Sequence, residues 1–194
     1  MIITIDGPSG TGKSTVAKRV AIALGFTYCD TGAMFRTIAY GIFSSKVDPL
    51  QEDSVKEFLK TNAIEVRLVS GKMHFFLKGI DVGEHLRSRE VTEIASKIAT
   101  IRAVRERLKE LQKEIGKQGK CVFEGRDMGT EIFPKAEVKI FLTAEPAIRA
   151  ERRYKELIEK AFFLLEQACP LIQKSTCCRC IEGLQLSLCH LLLF

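Results

Sequence analysis

The stretch "IITIDGPSGTGKSTVAKRV", Ile2 to Val20, decides the fold. Ile2 to Ile5 is a short apolar run of the kind that fills a buried strand, and Asp6-Gly7-Pro8 ends it in a turn. From Lys13 onward, Val16, Val20, Ala23 and Leu24 recur at helical spacing, and Gly25 stands where such a helix would stop. Between strand and helix, Gly7 to Thr15 fits G-x-x-x-x-G-K-[ST]. That context turns the pattern into a phosphate cradle. Glycines let the backbone curl, successive N–H groups face an anion, and the helix dipole adds to the attraction. Lys13 would neutralise the β- and γ-phosphates of a nucleoside triphosphate, and the Ser14 hydroxyl would ligate Mg²⁺.

The rest of the chain continues the rhythm. "FTYC" (residues 26–29) reads as a strand, followed by a helix from about Gly32 to Phe43. Ser54 and Glu57 form a capping box before a short helix. "IEVRLV" and "MHFFLKG" alternate around Ser70-Gly71 as a hairpin. A long charged amphipathic helix is predicted from about Thr92 to Lys117. "CVFE" and "VKIFL" are apolar strands, and Pro146 suits the first turn of a helix carrying Arg149, Arg152 and Arg153. Strands alternating with helices predict an α/β fold, a parallel sheet flanked by helices, with the hairpin as a small insert.

Composition bounds the partners. With 194 residues, 46% hydrophobic and 28% charged, the chain reads as one ordinary globular domain. The net charge of +6 suits phosphorylated partners. No run approaches 18 apolar residues, so no membrane span is expected. Met1 runs straight into a strand-length segment rather than a leader, and the expectation is a cytoplasmic enzyme. Neither a basic stripe nor stacking aromatics point to nucleic acid.

Two further stretches fall where ligands of open α/β sheets bind, at the carboxyl ends of strands. "DTGAMFR", Asp30 to Arg36, offers the Thr31 hydroxyl, close approach at Gly32, and Arg36 a helical turn later, a set that can hold a second phosphate. "FEGRDMGT", Phe123 to Thr130, delivers Glu124, Arg126 and Asp127. An arginine can fork a phosphate, and a carboxylate can accept from an exocyclic amine. Arg152 and Arg153 form a basic helix face that would either be solvated or reach phosphates.

Together with "IASKIATIRAVRERL" and "EGRDMGTEIFPKAEVKIFLTA", these motifs closely resemble bacterial cytidylate kinase, over about residues 2–158. The resemblance implies a P-loop nucleoside monophosphate kinase that takes ATP, CMP or dCMP, and Mg²⁺, and works as a monomer. Domain 1–160 would hold an acceptor-binding insert at about 60–90 and a helical lid at about 146–160. Gly7, Pro8, Ser9, Gly10, Thr11, Gly12, Lys13, Ser14 and Thr15 would bind ATP, with Ser14 on the metal. Arg36 and Arg126 would grip the CMP phosphate, and Asp30 and Thr31 would belong to the same substrate-binding set. Ser96 and Arg105, nine apart on the long helix, would read cytosine with Asp127. Lys13, Arg126, Asp127, Arg152 and Arg153 would be the catalytic set, the last two as lid arginines. Thr31 stands where the family usually has serine, and Phe35 where tyrosine is more frequent.

The resemblance stops where the composition changes. Residues 161–194 hold Cys169, Cys177, Cys178, Cys180 and Cys189, five of seven cysteines, and their only charges are Glu166, Lys174, Arg179 and Glu182. The family's R-D-x-x-D-x-x-R cluster is missing there, and the last strand of the sheet is uncertain. Four readings of this tail stand: a zinc site through Cys177, Cys178, Cys180, Cys189 and His190, a membrane anchor, an apolar strand from Leu184 to Phe194, and translation in a shifted frame. The last leads, because codons permitted for "RCIEGLQ" read one nucleotide later can give Asp-Ala-Ser-Arg-Asp-Tyr-Ser. It carries an alternative function with it, a nucleotide-binding but catalytically impaired form. A P-loop kinase with another small acceptor is the second alternative.

Overall fold

The computed structural model describes residues 1–69 and 72–172, with side chains described as far as Glu159. Four strands form one parallel sheet, β1 (Ile2–Asp6), β2 (Thr27–Asp30), β6 (Cys121–Gly125) and β7 (Val138–Phe141), in the order β2-β6-β1-β7. Helices α1 (Lys13–Leu24), α2 (Thr31–Ser44) and α5 (Arg102–Lys117) connect or flank these strands. Between α2 and α5 lie α3 (Glu52–Thr61), strands β3 (Ile64–Val69), β4 (Lys72–Leu77) and β5 (Ile80–Asp81), a 3₁₀ turn at Gly83–Arg87, and α4 (Arg89–Ile98). The predicted α/β fold is therefore present, and its hairpin insert is a three-stranded antiparallel sheet ordered β3-β4-β5. Val69 pairs with Lys72, and the predicted Ser70-Gly71 turn between them lies outside the described residues.

Side-chain alternation divides the parallel sheet into two faces. Ile3, Ile5 and Val122 point to one side and pack with Ala17 and Ala21 of α1, joined by Val16, Val20 and Tyr28. Cys29, Cys121 and Phe123 point to the other side, against Met34, Ile38 and Ile42 of α2 and Val104, Leu108 and Ile115 of α5. Nearly unbroken burial along β6 is what a strand covered on both faces requires.

Two local expectations are corrected. The predicted long helix is two helices, α4 and α5, separated at Ala99–Ile101. Val91, Ala95 and Ile98 bury one face of α4. Continued without a break, that face would carry Arg102, Arg105 and Lys109 into the core. The break resets the phase, so that Ile101, Val104, Leu108 and Ile115 are buried instead. The Ser54–Glu57 capping box is absent as well. α3 starts three residues earlier, its N-cap Gln51 makes no side-chain cap, and the Ser54 hydroxyl donates to Gln51 Oε1 at 3.1 Å. Glu52 and Asp53 in the first turn oppose the helix dipole instead.

Residues Met1–Ala144 form one compact unit, and a second begins at Glu145 with helix α6 (Pro146–Ile172). Pro146 opens this helix as expected, and it runs well past residue 160. Among the described residues no helix is long and apolar enough to cross a membrane. The zinc, anchor and strand readings, which rest on Cys177 to Phe194, lie outside the described residues, and so does the part of the frame-shift reading beyond Ile172.

Candidate active site

The carboxyl ends of β1, β2 and β6 stand level, since Asp6 pairs with Gly125 and Asp30 with Glu124. Everything that leaves these ends gathers at one edge. From β1 the chain enters the glycine loop. Gly7 has φ of 144°, and a Cβ there would lie 2.0 Å from the Leu142 carbonyl oxygen, so no other residue fits. Gly12 adopts a left-handed conformation (φ 89°) as the N-cap of α1, with no side chain of its own to cap the helix. The first-turn amides are left for an anion. Inside the loop, Lys13 Nζ donates to the Pro8 carbonyl at 2.7 Å, and the Thr11 hydroxyl to the same oxygen at 3.0 Å. Lys13 is 8% exposed. Burial first, then the charge of Arg126, pull its pKa down to about 8, against the opposing pull of Glu124 and Asp6.

The turn after β6 is bound to this loop at two points. Asp6 accepts the buried backbone amides of Met128 and Gly129, at 2.9 and 2.8 Å, and Arg126 Nη1 donates to the Gly7 carbonyl at 2.6 Å. A π-helical turn at Met128–Ile132 then carries the chain away. Glu124, 5% exposed, accepts from the Tyr28 hydroxyl through Oε1, while its Oε2 is buried with no hydrogen-bond partner. Burial raises the Glu124 pKa, an effect opposed by the Tyr28 hydrogen bond and by nearby Ser14 and Lys13. A buried carboxylate oxygen left unpaired beside a lysine and a P-loop serine hydroxyl is a costly arrangement for the protein alone. It suits Mg²⁺ and the water around it. Ser14 and Glu124 are hard oxygen donors of the kind that metal takes.

On the acceptor side, Asp30 caps α2 by accepting the Ala33 amide at 2.9 Å through Oδ1. Its Oδ2 holds Arg36 Nη2 at 3.0 Å, and Arg36 Nε is buried without a partner. The Thr31 hydroxyl, expected to face a ligand, donates to the Glu124 carbonyl at 2.6 Å and is buried. In this structure it locks β2 to β6. Arg105 and Asp127 meet in an ion pair. Both line a cavity of about 250 Å³, with Phe35, Leu108, Gln112 and Met128 among its walls. Arg102, Glu106, Lys109 and Glu131 line it too, so Phe35, Leu108, Met128 and Ile132 share the lining with six charged side chains. Ser96 is not among its lining residues. It sits exposed on α4 with its hydroxyl donating to the Thr92 carbonyl at 3.1 Å. Arg152 and Arg153 lie on α6, where Arg153 pairs with Glu156 of its own helix at 3.0 Å.

Sequence reading named the loop, Arg36, Arg105, Arg126 and Asp127, among which Arg126 bonds to Gly7, Arg105 to Asp127 and Arg36 to Asp30. It placed Glu124 at the edge without giving it a role, and it passed over Asp6, Tyr28 and Gln112. Asp6 and Tyr28 look like ordinary strand residues in isolation. Only the strand order, which puts β6 between β1 and β2, makes them neighbours of the loop.

The family model described as cytidylate kinase matches residues 3–174, reaching past the change in composition near Lys160. A cytidylate kinase of Protochlamydia amoebophila is 45% identical over 160 residues, 82% of this chain and 70% of the relative. One from Chlamydia caviae is 47% identical over 83% of this chain and 74% of its own. A bifunctional pantoate ligase/cytidylate kinase of Prochlorococcus marinus is 46% identical over 83% of this chain but 31% of its own length.

Proposed function

Because the chain belongs to the cytidylate kinase family, we propose that it moves the γ-phosphate of ATP onto CMP or dCMP, giving ADP and CDP or dCDP. A phosphate oxygen of the acceptor attacks the γ-phosphorus in line, and the bond to the bridging oxygen of ADP breaks. The acceptor oxygen is already anionic, so no strong general base is needed, and catalysis is positioning plus charge neutralisation. Gly7 to Thr15 hold the triphosphate through their backbone, and Lys13 pairs with its outer phosphates. A bound Mg²⁺ would supply positive charge to offset that of the phosphates. Ser14 would hold it directly, and Glu124 through Oε2 or the surrounding water.

Arg126 stands between the two substrates, bonded to the Gly7 carbonyl, and with Arg36 it grips the acceptor phosphate. Asp30 and Thr31 hold that side of the site in shape. Arg105 and Asp127 read the base, with Ser96 brought up from α4. Arg152 and Arg153 act as lid arginines that cover the transferring phosphoryl group. The protein works as a cytoplasmic monomer on free nucleotides and needs neither nucleic acid nor membrane.

The observation that carries the reading is the Arg105–Asp127 pair on its cavity, with Asp127 next in sequence to Arg126, which bonds to Gly7 of the phosphate loop. Cytosine presents an N4 amine where uracil presents a carbonyl, so a carboxylate acceptor favours the first and repels the second. Asp127→Asn is expected to lower the CMP-over-UMP ratio of kcat/KM by roughly tenfold to a hundredfold, the scale of one or two lost polar contacts. An unchanged ratio would assign base selection to other residues.

A further inference from the structure

Glu124 can serve the phosphate loop only if something holds it there, and the structure contains such a group. Tyr28 lies on β2 beside β6 and shares a sheet face with Glu124, because Tyr28 pairs with Val122 and Asp30 with Glu124. Its ring packs with Ala17, Ala21 and Val122 under α1, and Lys18 Nζ sits 5.4 Å above the ring centre. The ring cannot swing without leaving that layer, so sheet register and α1 together fix the hydroxyl. That hydroxyl donates to Glu124 Oε1, and Ser14 stands close to both groups. One carboxylate oxygen is thereby occupied, and Oε2 is left buried and unpartnered.

We propose that Tyr28 is a positioning residue for the metal–nucleotide half of the site, clamping Glu124 by one oxygen so that the other faces Ser14 and the metal's water shell. The inference rests on the kinase reading and on Glu124 facing the metal. It assigns Tyr28 no contact with substrate. Without the hydroxyl the carboxylate gains a second unpaired oxygen and turns to satisfy it, on Lys13 or Ser14, and the preset geometry is lost. A partner that orients a metal-facing ligand is worth about tenfold to a hundredfold in metal affinity or activity.

Tyr28→Phe tests this, because it keeps the ring and removes only the hydroxyl. Mg²⁺ would be titrated into protein holding a fluorescent ATP analogue, a readout that needs no turnover. We expect the Mg²⁺ midpoint to rise about tenfold, with analogue affinity in EDTA and the KM for CMP unchanged and a folded thermal transition retained. In the Glu124→Gln background the same change is expected to add nothing, since Tyr28 acts through that carboxylate. A Tyr28→Phe titration that overlays the parent would overturn the proposal, and so would a full effect persisting beside Glu124→Gln. Failure of the parent protein to phosphorylate CMP, with these Mg²⁺ responses intact, would instead count against the acceptor assignment alone.

Discussion

Lys13 is the residue on which the electrostatics of the site converge. Burial and the nearby Arg126 bring its pKa to about 8 in the ligand-free protein, yet pairing with a triphosphate requires the ammonium form. The sign follows from linkage. Below pH 8 the lysine is already charged and nucleotide affinity does not depend on its titration. Above pH 8, binding must first restore the proton, so affinity should fall by about tenfold per pH unit. The lowered pKa also means that the folded chain holds fewer protons than the unfolded chain between pH 8 and the ordinary lysine value. The cost of burying that charge is greatest below pH 8 and is relieved as pH rises through this range. Nucleotide titrations from pH 7 to 10 would reveal the break near 8, and Lys13→Met should remove it along with most turnover. A flat profile in the parent would show that Lys13 keeps its proton throughout.

At the scale of elements, the site is a consequence of strand order. β1 delivers the phosphate loop and β2 delivers Asp30 and Tyr28, while β6 lies between them and contributes to both. Asp6 is the tie that keeps the β6 turn against the loop, with one oxygen on each of two buried amides. Asp6→Ala strands both donors and should destabilise the protein by about 2–4 kcal/mol, the cost of unsatisfied buried amides. Urea unfolding would measure it, and a loss below about half a kcal/mol, as at ordinary surface positions, would mean that the turn re-pairs elsewhere.

Much of this layer was legible beforehand, because local signals carry it. Apolar runs, Gly25, Pro146 and the G-x-x-x-x-G-K-[ST] spacing each have a local cause. The break between α4 and α5 was not legible. No proline or glycine marks Ala99–Ile101, and the reason is tertiary: the core takes Val104 and Leu108 rather than Arg105 and Lys109. The capping box failed for a related reason. Glu52 and Asp53 can begin α3 earlier, and burial of Val55 and Phe58 sets its phase. The hydrogen bond between Tyr28 and Glu124 depends on the pairing of β2 with β6, which no local signal gives.

For the whole molecule, the proposed kinase would host two anionic substrates at one edge of a parallel sheet, one on the loop after β1 and one between α2, α5 and the turn after β6. The loop, Arg36 and the Arg105–Asp127 cavity all fall within Met1–Ala144, whereas Arg152 and Arg153 belong to the second unit. The residues proposed to recognise both substrates therefore belong to the first unit, and those proposed as lid arginines to the second. The most direct test is ADP release from the purified full chain with Mg-ATP, comparing CMP, dCMP, UMP and no acceptor. The account predicts ADP formation that depends on CMP or dCMP, with UMP at least tenfold poorer, the scale of one mismatched polar contact at the base. ATP binding with no stimulation by any cytidine monophosphate would contradict it.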